Sequence, residues 1–539
     1  MEEHRAAVKA TAAQVQGFHR RKEPFRIYHG STNSTRIVQF ERDKMLDMSH
    51  FTHVLHVDTE RQTALVEPNV AMDALVAATL PHGLVPPVVM EFPGITVGGG
   101  FAGVAGESSS WRHGFFDRTV NWCDVVLATG ETARASPTEN ADLFYGAPGT
   151  YGTLCVTTLF ELRLVPARRF VELEYRVVDS VGGAVAAIEA AIAAGDHNYI
   201  DGILFSATRG AIMLGRLVDT PSSPGTKTLR FTRPWDNWFY LHASSVTKRA
   251  GKQQQQQQEA TKSDAQPQLP SHTELIPLQD YLFRYDRGAF WTGRYAFHRF
   301  HTPFDRVSRA LLDPLMHTRR MYAALNASGF AQQYVIQDLA LPMRSAEAFV
   351  RWVEEHMGVW PLWLCPLRIE DEAAVPLRAR VGVGAAKNTS TSTSTDASAS
   401  ASSSPSPYPP SSPTPTPPYT LLNIGLWGPG PPTHAPFIAL NRQLETCVHA
   451  LGGFKWLYAN AYYTEAEFWA VYDRAWYEGL RRKYGAEGLP GVYEKVRARE
   501  GRVRVSGMRG VWEAVAGGRG AHLLEKGRGK GRGKGKGGK

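Results

Sequence analysis

The sequence predicts an α+β protein in two parts that meet near Val165-Pro166, and three observations predict it. Before that point, short alternating strands, one helix-periodic segment and a glycine-rich crossover succeed one another. After it, a strand-helix-strand-strand pattern appears and returns beyond residue 331. Between the copies and behind them lie runs of Gln, Ser, Thr, Pro and Gly, which bury no core and read as disorder.

In chain order, residues 5–24 read as a polar helix stopped by Pro24, leading into the strand Phe25-Arg26-Ile27-Tyr28. A turn of small donors, Gly30-Ser31-Thr32-Asn33-Ser34, then runs to Arg36. Residues 54–58 and 63–67 make a hairpin, and Met72, Leu75, Val76 and Leu80 fall at helical spacing before Pro81 and Gly83. A second hairpin spans 119–135 around Thr129-Gly130, and a strand over 157–164 follows the small-residue run 146–154. Past Pro166 comes a strand over 171–178. Asp179 or Ser180 caps a helix carrying Val181, Val185, Ile188 and Ile192, and Gly195 stops it. Strands over 199–205 and 211–215 complete half of a ferredoxin-like unit. The matching half has a strand near 331–339, a helix over 345–357 and strands over 359–364 and 419–427. Leu440, Leu444, Val448 and Leu451 mark a further helix, and Thr464-Glu465-Ala466-Glu467 is a capping box opening the last one. Disorder is expected over 251–272, over 384–418 and in a basic tail over 501–539.

Five glycines fall within positions 98–106 of the stretch Thr96-Val97-Gly98-Gly99-Gly100-Phe101-Ala102-Gly103-Val104-Ala105-Gly106, and Glu107-Ser108-Ser109-Ser110 follows. Glycine costs entropy in any regular element, so this density means close approach of the bare backbone or positive φ. Free N–H groups in a glycine-rich turn entering a helix would bind an anion, and the missing side chains would let a planar ring lie against the chain. The spacing is not G-x-G-x-x-G after a strand, so the Rossmann fingerprint does not apply.

In their order, Gly30-Ser31-Thr32-Asn33, Ile95-Thr96-Val97-Gly98-Gly99, Gly106-Glu107-Ser108-Ser109-Ser110, Glu139-Asn140-Ala141-Asp142-Leu143-Phe144-Tyr145 and Gly152-Thr153-Leu154 resemble the PCMH-type FAD-binding domain of the vanillyl-alcohol-oxidase superfamily. Val335-Ile336-Gln337-Asp338, Trp360-Pro361-Leu362-Trp363-Leu364-Cys365-Pro366 and Leu457-Tyr458-Ala459-Asn460 extend the likeness to the delta(24)-sterol reductases, over roughly 5–500. The resemblance implies a two-subdomain FAD-binding domain over 5–166 and a ferredoxin-like substrate cap over 167–500. It implies cofactor contacts from Gly30, Ser31, Thr32, Asn33, Ser34, Thr96, Val97, Gly98, Gly99, Gly103, Gly106, Glu107, Ser108, Ser109, Gly152 and Thr153. Thr32 stands where many superfamily members carry a flavin-linking histidine, which implies non-covalent FAD. The implied reaction saturates the 24,25 side-chain alkene of a sterol, with NADPH as the electron source.

An isolated alkene is a poor hydride acceptor, so an acid must protonate one carbon as hydride reaches the other. Tyr458, Tyr462 and Arg284 are the catalytic candidates; Tyr463, Glu107 and Arg287 share the chemistry. Tyr458 reads more readily as core than as catalyst, and Arg284 and Arg287 as partners of Asp286 or of a phosphate. Phe290, Trp291, Phe297, Phe300, Trp352, Trp360 and Trp363 would line a tunnel for a rigid lipid or fill the cap core. His298 and His301 lack a third ligand nearby, so no metal is expected. An FAD-linked oxidase or dehydrogenase of an alcohol, hydroxy acid or lactone, and a non-catalytic flavin-domain binding protein, are the alternative readings.

With 43% apolar and 11% aromatic residues the chain has ample core. Cys123, Cys155, Cys365 and Cys447 are scattered without a C-x-x-C pair, which argues against disulfides and zinc. The net charge of +9 is largely a tail effect, because Lys526 to Lys539 supply seven positive charges and no acid. That excludes specific nucleic-acid recognition and leaves non-specific contact with an anionic membrane. No run long enough to span a bilayer occurs, unlike the family's anchored animal and plant members. The expected location is cytoplasmic, with peripheral contact at the endoplasmic reticulum as the alternative.

Overall fold

A computed structural model describes residues 1–30, 34–36, 41–261, 271–371, 375–381, 418–498 and 507–516. The opening helix, Glu2–Arg21, ends on Lys22 in the left-handed conformation and buries Thr11, Val15 and Phe18. It packs on a small parallel pair, Arg26–Tyr28 with Met45–Asp47, and on a five-stranded antiparallel sheet. The order in that sheet is Val54–Asp58, Thr63–Val66, Cys155–Arg163, Val120–Leu127, Thr132–Ala135. Both expected hairpins are present, and Met72–Thr79 is helical, closed by Gly83 at φ 69°.

The second sheet has eight strands in the order Ser271–Pro277, Phe170–Val178, Arg209–Val218, Tyr199–Ser206, Leu362–Ile369, Tyr419–Pro429, Tyr334–Pro342, Phe454–Lys455. Its middle is the two strand-helix-strand-strand halves joined edge to edge where Gly202, Ile203 and Leu204 pair with Leu364, Trp363 and Leu362. Alternation along each strand divides its side chains between two cores. Leu364, Ile424 and Leu426 face the helices Val181–Ala194, Ala346–His356 and His434–Ala450. Trp363, Cys365 and Trp427 point the other way, into the core shared with the first sheet. Both faces are therefore buried, and one of them roofs the first half of the chain.

Three stretches differ from expectation. The helix Phe239–Thr261 runs through Gln253 to Gln258, where disorder is expected, and the edge strand follows at Ser271. Glutamine is a good helix former, and the apolar start of the helix, Phe239, Ala243 and Val246, is buried. Within the tail, Gly507–Ala516 forms a helix against Thr318–Ser328. Gly510 makes that approach possible, since a Cβ there would lie 2.9 Å from Ser328 Cβ and 3.1 Å from the Ala324 carbonyl. Lastly, residues read as the end of the cap pack back on the first half: Lys483 and Tyr484 both hold Asp142 at 2.6 Å, and Tyr477 meets Thr153 at 2.7 Å. The insertion over 384–417 and the tail beyond 516 lie outside the described residues.

Candidate functional site

A cavity of about 970 Å³ lies between the first sheet and its roof. It sits at the upper end of the roughly 300–1,000 Å³ usual for small-molecule and cofactor sites. Both glycine-bearing bends border it, His29, Ser34 and Arg36 from the first and Thr96 to Glu107 from the second. Among the sequence candidates, Ser34, Thr96, Gly98, Gly99, Gly103, Gly106, Glu107, Gly152 and Tyr458 line the wall. Ser31, Thr32 and Asn33 lie outside the described residues. Gly30, at φ 78°, shapes the first bend without reaching the wall. Val97 is fully buried, the Ser108 carbonyl accepts from the Ile200 amide, Ser109 is buried, and Thr153 bonds Tyr477.

The glycine run supplies room rather than donors. Thr96 caps the helix Val97–Gly103, its hydroxyl accepting from the Gly99 amide. The amides of Val97, Gly98 and Gly100 donate to the carbonyls of Val70, Pro68 and Thr96. The expected anion site on these N–H groups is therefore absent, because the cap and the neighbouring loop have used them. Close approach is what remains. A Cβ on Gly98 would lie 3.0 Å from the Pro68 carbonyl, one on Gly100 2.3 Å from Met90 Cε, and one on Gly106 2.6 Å from Leu367 Cδ2.

The donors are cationic side chains that sequence reasoning did not assemble. Arg36 stacks on Tyr151 at 4.6 Å and donates from Nε to Ser34 Oγ at 2.9 Å. Its Nη1 has no hydrogen-bond partner among the described residues, nor has His29 Nδ1. Lys495 donates to the Tyr151 carbonyl. Withdrawal from bulk water, then Arg36 and Arg26, push the Lys495 ammonium down to about 7. Burial, then Lys495 and Arg36, push His29 down to about 4. Like charges crowded away from water favour whatever anion joins them. Together with the side-chain-poor wall, this donor set fits the diphosphate of FAD.

Carboxyl groups gather elsewhere in the same wall. Tyr458 donates its hydroxyl hydrogen to Asp338 Oδ2 at 2.6 Å, and Asn423 Nδ2 donates to Asp338 Oδ1 at 3.0 Å. Burial raises the Asp338 carboxyl to about 7 against these hydrogen bonds, and Glu91 adds to the rise. Opposite Asp338 in the ladder stands Gly425, where a Cβ would lie 3.0 Å from Asp338 Oδ1. Glu107 faces Glu91, and burial followed by that neighbour lifts its carboxyl well above the ordinary range. Burial and a like-charged neighbour both favour the protonated form of Glu107. Around these groups the wall is aromatic, with Phe290, Phe297, Trp363, Tyr322 and Trp427.

Two catalytic candidates lie outside the lining. Arg284 is buried in an ion pair with Asp201 at 2.9 Å, and Asp201 also accepts from Tyr285 and Trp363. Tyr462 stands beside Lys455 and Glu445, its amide donating to Glu445 at 2.8 Å. Of the expected tunnel aromatics, Phe290, Phe297, Phe300 and Trp363 reach the cavity, whereas Trp291 donates to the Trp427 carbonyl and Trp352 and Trp360 serve the helical side of the sheet. Asp338 had one signal in the sequence, an acid in an apolar strand. Lys495 had none, since it lies in the short helix Val492–Val496, past the Thr464 helix expected to be the last.

Comparison with known proteins agrees with this geometry. The FAD binding domain family matches residues 6–136. The chain is similar to the delta(24)-sterol reductase of Homo sapiens, 27% identical over 481 residues, covering 86% of this chain and 80% of the relative. It is similar to that of Pisum sativum, 26% identical over 484 residues, covering 84% and 76%. The Arabidopsis thaliana enzyme is 27% identical over 478 residues, covering 84% and 76%. No helix among the described residues is long and apolar enough to cross a membrane.

Proposed function

We propose that this chain, a homologue of the delta(24)-sterol reductases with an FAD-binding domain, saturates the 24,25 side-chain double bond of a sterol with NADPH as electron source. The observation that carries the reading is the Tyr458-Asp338 pair in an aromatic cavity that also holds the glycine wall. Bound FAD supplies the hydride.

Each protein group then has a task. Arg36 and Lys495 neutralise the diphosphate, His29 offers it a neutral ring N–H, and Gly98, Gly99, Gly103 and Gly106 let the ring system lie against the backbone. The aromatic wall receives the rigid apolar body of the substrate and excludes water. Tyr458 gives its hydroxyl proton to the less substituted alkene carbon as hydride reaches the more substituted one, and Asp338 re-protonates Tyr458. An acid with a pKa near neutrality suits that second step, because it is part protonated at working pH. FAD is held here without a covalent bond. The basic run Lys526 to Lys539, which lies outside the described residues, keeps the enzyme against the anionic surface of the endoplasmic reticulum membrane.

The test is anaerobic mixing of the purified yellow protein with NADPH and then with a 24,25-unsaturated sterol. The reading expects the flavin colour to bleach with NADPH and return with the sterol, leaving a saturated side chain. Colour that returns with a small alcohol's oxidised product and not with the sterol would replace it by an alcohol dehydrogenase.

A further inference from the structure

We propose a second ligand site, outside the cavity: a zinc ion held by His242, His272 and Glu274 at the edge of the eight-stranded sheet. His272 and Glu274 stand two residues apart on the edge strand Ser271–Pro277, so they share a face. His242 comes from the first turn of the helix Phe239–Thr261, which packs on the neighbouring strands. His242 Nε2 lies 3.0 Å and His272 Nε2 3.2 Å from the same oxygen, Glu274 Oε2. All three donor atoms fall within 4.8 Å of one another. A tetrahedral zinc with bonds of about 2.0–2.1 Å spaces its ligand atoms about 3.3 Å apart, close to the two nitrogen–oxygen separations of 3.0 and 3.2 Å.

The surroundings fit a ligand set. Tyr175, fully buried, donates to the other carboxylate oxygen, Glu274 Oε1, at 2.6 Å. That bond fixes the carboxylate and leaves Oε2 for the metal, as outer-shell partners of metal ligands do. Two imidazoles and one carboxylate suit zinc, with water as the fourth ligand. His242 borders a shallow hollow beside Arg230 and Asp236, and His272 is exposed, so water has access. The metal would pin the helix to the sheet edge, and it takes no part in the reduction. The competing arrangement has both imidazoles donating Nε2–H to one oxygen, with no affinity for metal.

The full-length FAD-loaded protein, stripped with EDTA, is titrated with ZnCl2 and with CoCl2. The expected result is one zinc per chain by elemental analysis, a visible spectrum of four-coordinate cobalt, and a higher melting temperature with zinc. His272→Ala removes an exposed ligand without disturbing the core. It should weaken zinc binding by at least the roughly 10–100-fold typical of losing an outer-shell partner alone, with flavin content unchanged. Tyr175→Phe should give a smaller loss in the same direction. No zinc bound by the folded wild-type protein, or equal binding by His272→Ala, would overturn the site.

Discussion

One cavity carries two opposite electrostatic regions. Around Arg36, Lys495 and His29, burial and like charge push the basic groups toward neutrality. Around Asp338 and Glu107, the same two causes raise the affinity of the carboxyl groups for a proton. The first arrangement is strained until an anion enters, and the second stores acid. Tyr458 touches both, its carbonyl accepting from Ser34 Oγ at 2.6 Å while its hydroxyl reaches Asp338. The contrast teaches that cofactor retention and proton delivery depend on different residues and should fail separately.

Gly99→Asp should have the largest effect, loss of FAD retention. Its Cβ would lie 3.0 Å from Thr96 Oγ1, and its carboxylate would enter the cavity wall. Flavin content of the folded variant, by absorbance after gel filtration, is the check; wild-type retention would put the flavin elsewhere. Next, Tyr458→Phe should keep FAD and lower the turnover number by about 10²–10⁴-fold, the usual worth of a positioned acid. Equal loss of flavin and turnover would erase the separation between the two regions. Lys495→Met should do the reverse, weakening FAD binding by about tenfold, the order of one charge-assisted contact at 1.5 kcal/mol, with little change in the loaded enzyme's turnover. Titration of the apoprotein with FAD reads this out.

The smallest expected effect lies outside the cavity. Asp286 and Asp313 raise His317 to about 9 at the start of the helix Thr318–Ser328. A raised pKa gives stability that is complete below the unfolded value near 6.5 and is lost as pH climbs through 9. His317→Gln should therefore lower the melting temperature at pH 6, by a small amount because the ring is partly exposed, and leave it unchanged at pH 10.

Much of the fold was legible because local signals agreed. Ser180 with Gly195 bounds one helix, Thr464 with Glu467 makes the capping box, and both hairpins lie where alternation put them. The glycine run marked one wall of the cavity, yet its first amides donate to Pro68, Val70 and Thr96 within the protein. What sequence hid is long-range. Lys495 reaches the Tyr151 carbonyl, beside Arg36, only because the short helix Val492–Val496 folds back on the first half, and no periodicity encodes that return. Arg284 shows the converse: an arginine among aromatics looked like chemistry, and Asp201 claims it for the core.

The central claim is that Asp338 supplies the proton through Tyr458, so the most direct test is the pH dependence of sterol reduction over many turnovers with saturating NADPH. The account predicts a rate that is high below about pH 7 and falls as Asp338 loses its proton, with the break absent in Asp338→Asn while reduction by NADPH is unchanged. A wild-type rate that is flat between pH 5 and 9, or an Asp338→Asn profile that keeps the break, would contradict it.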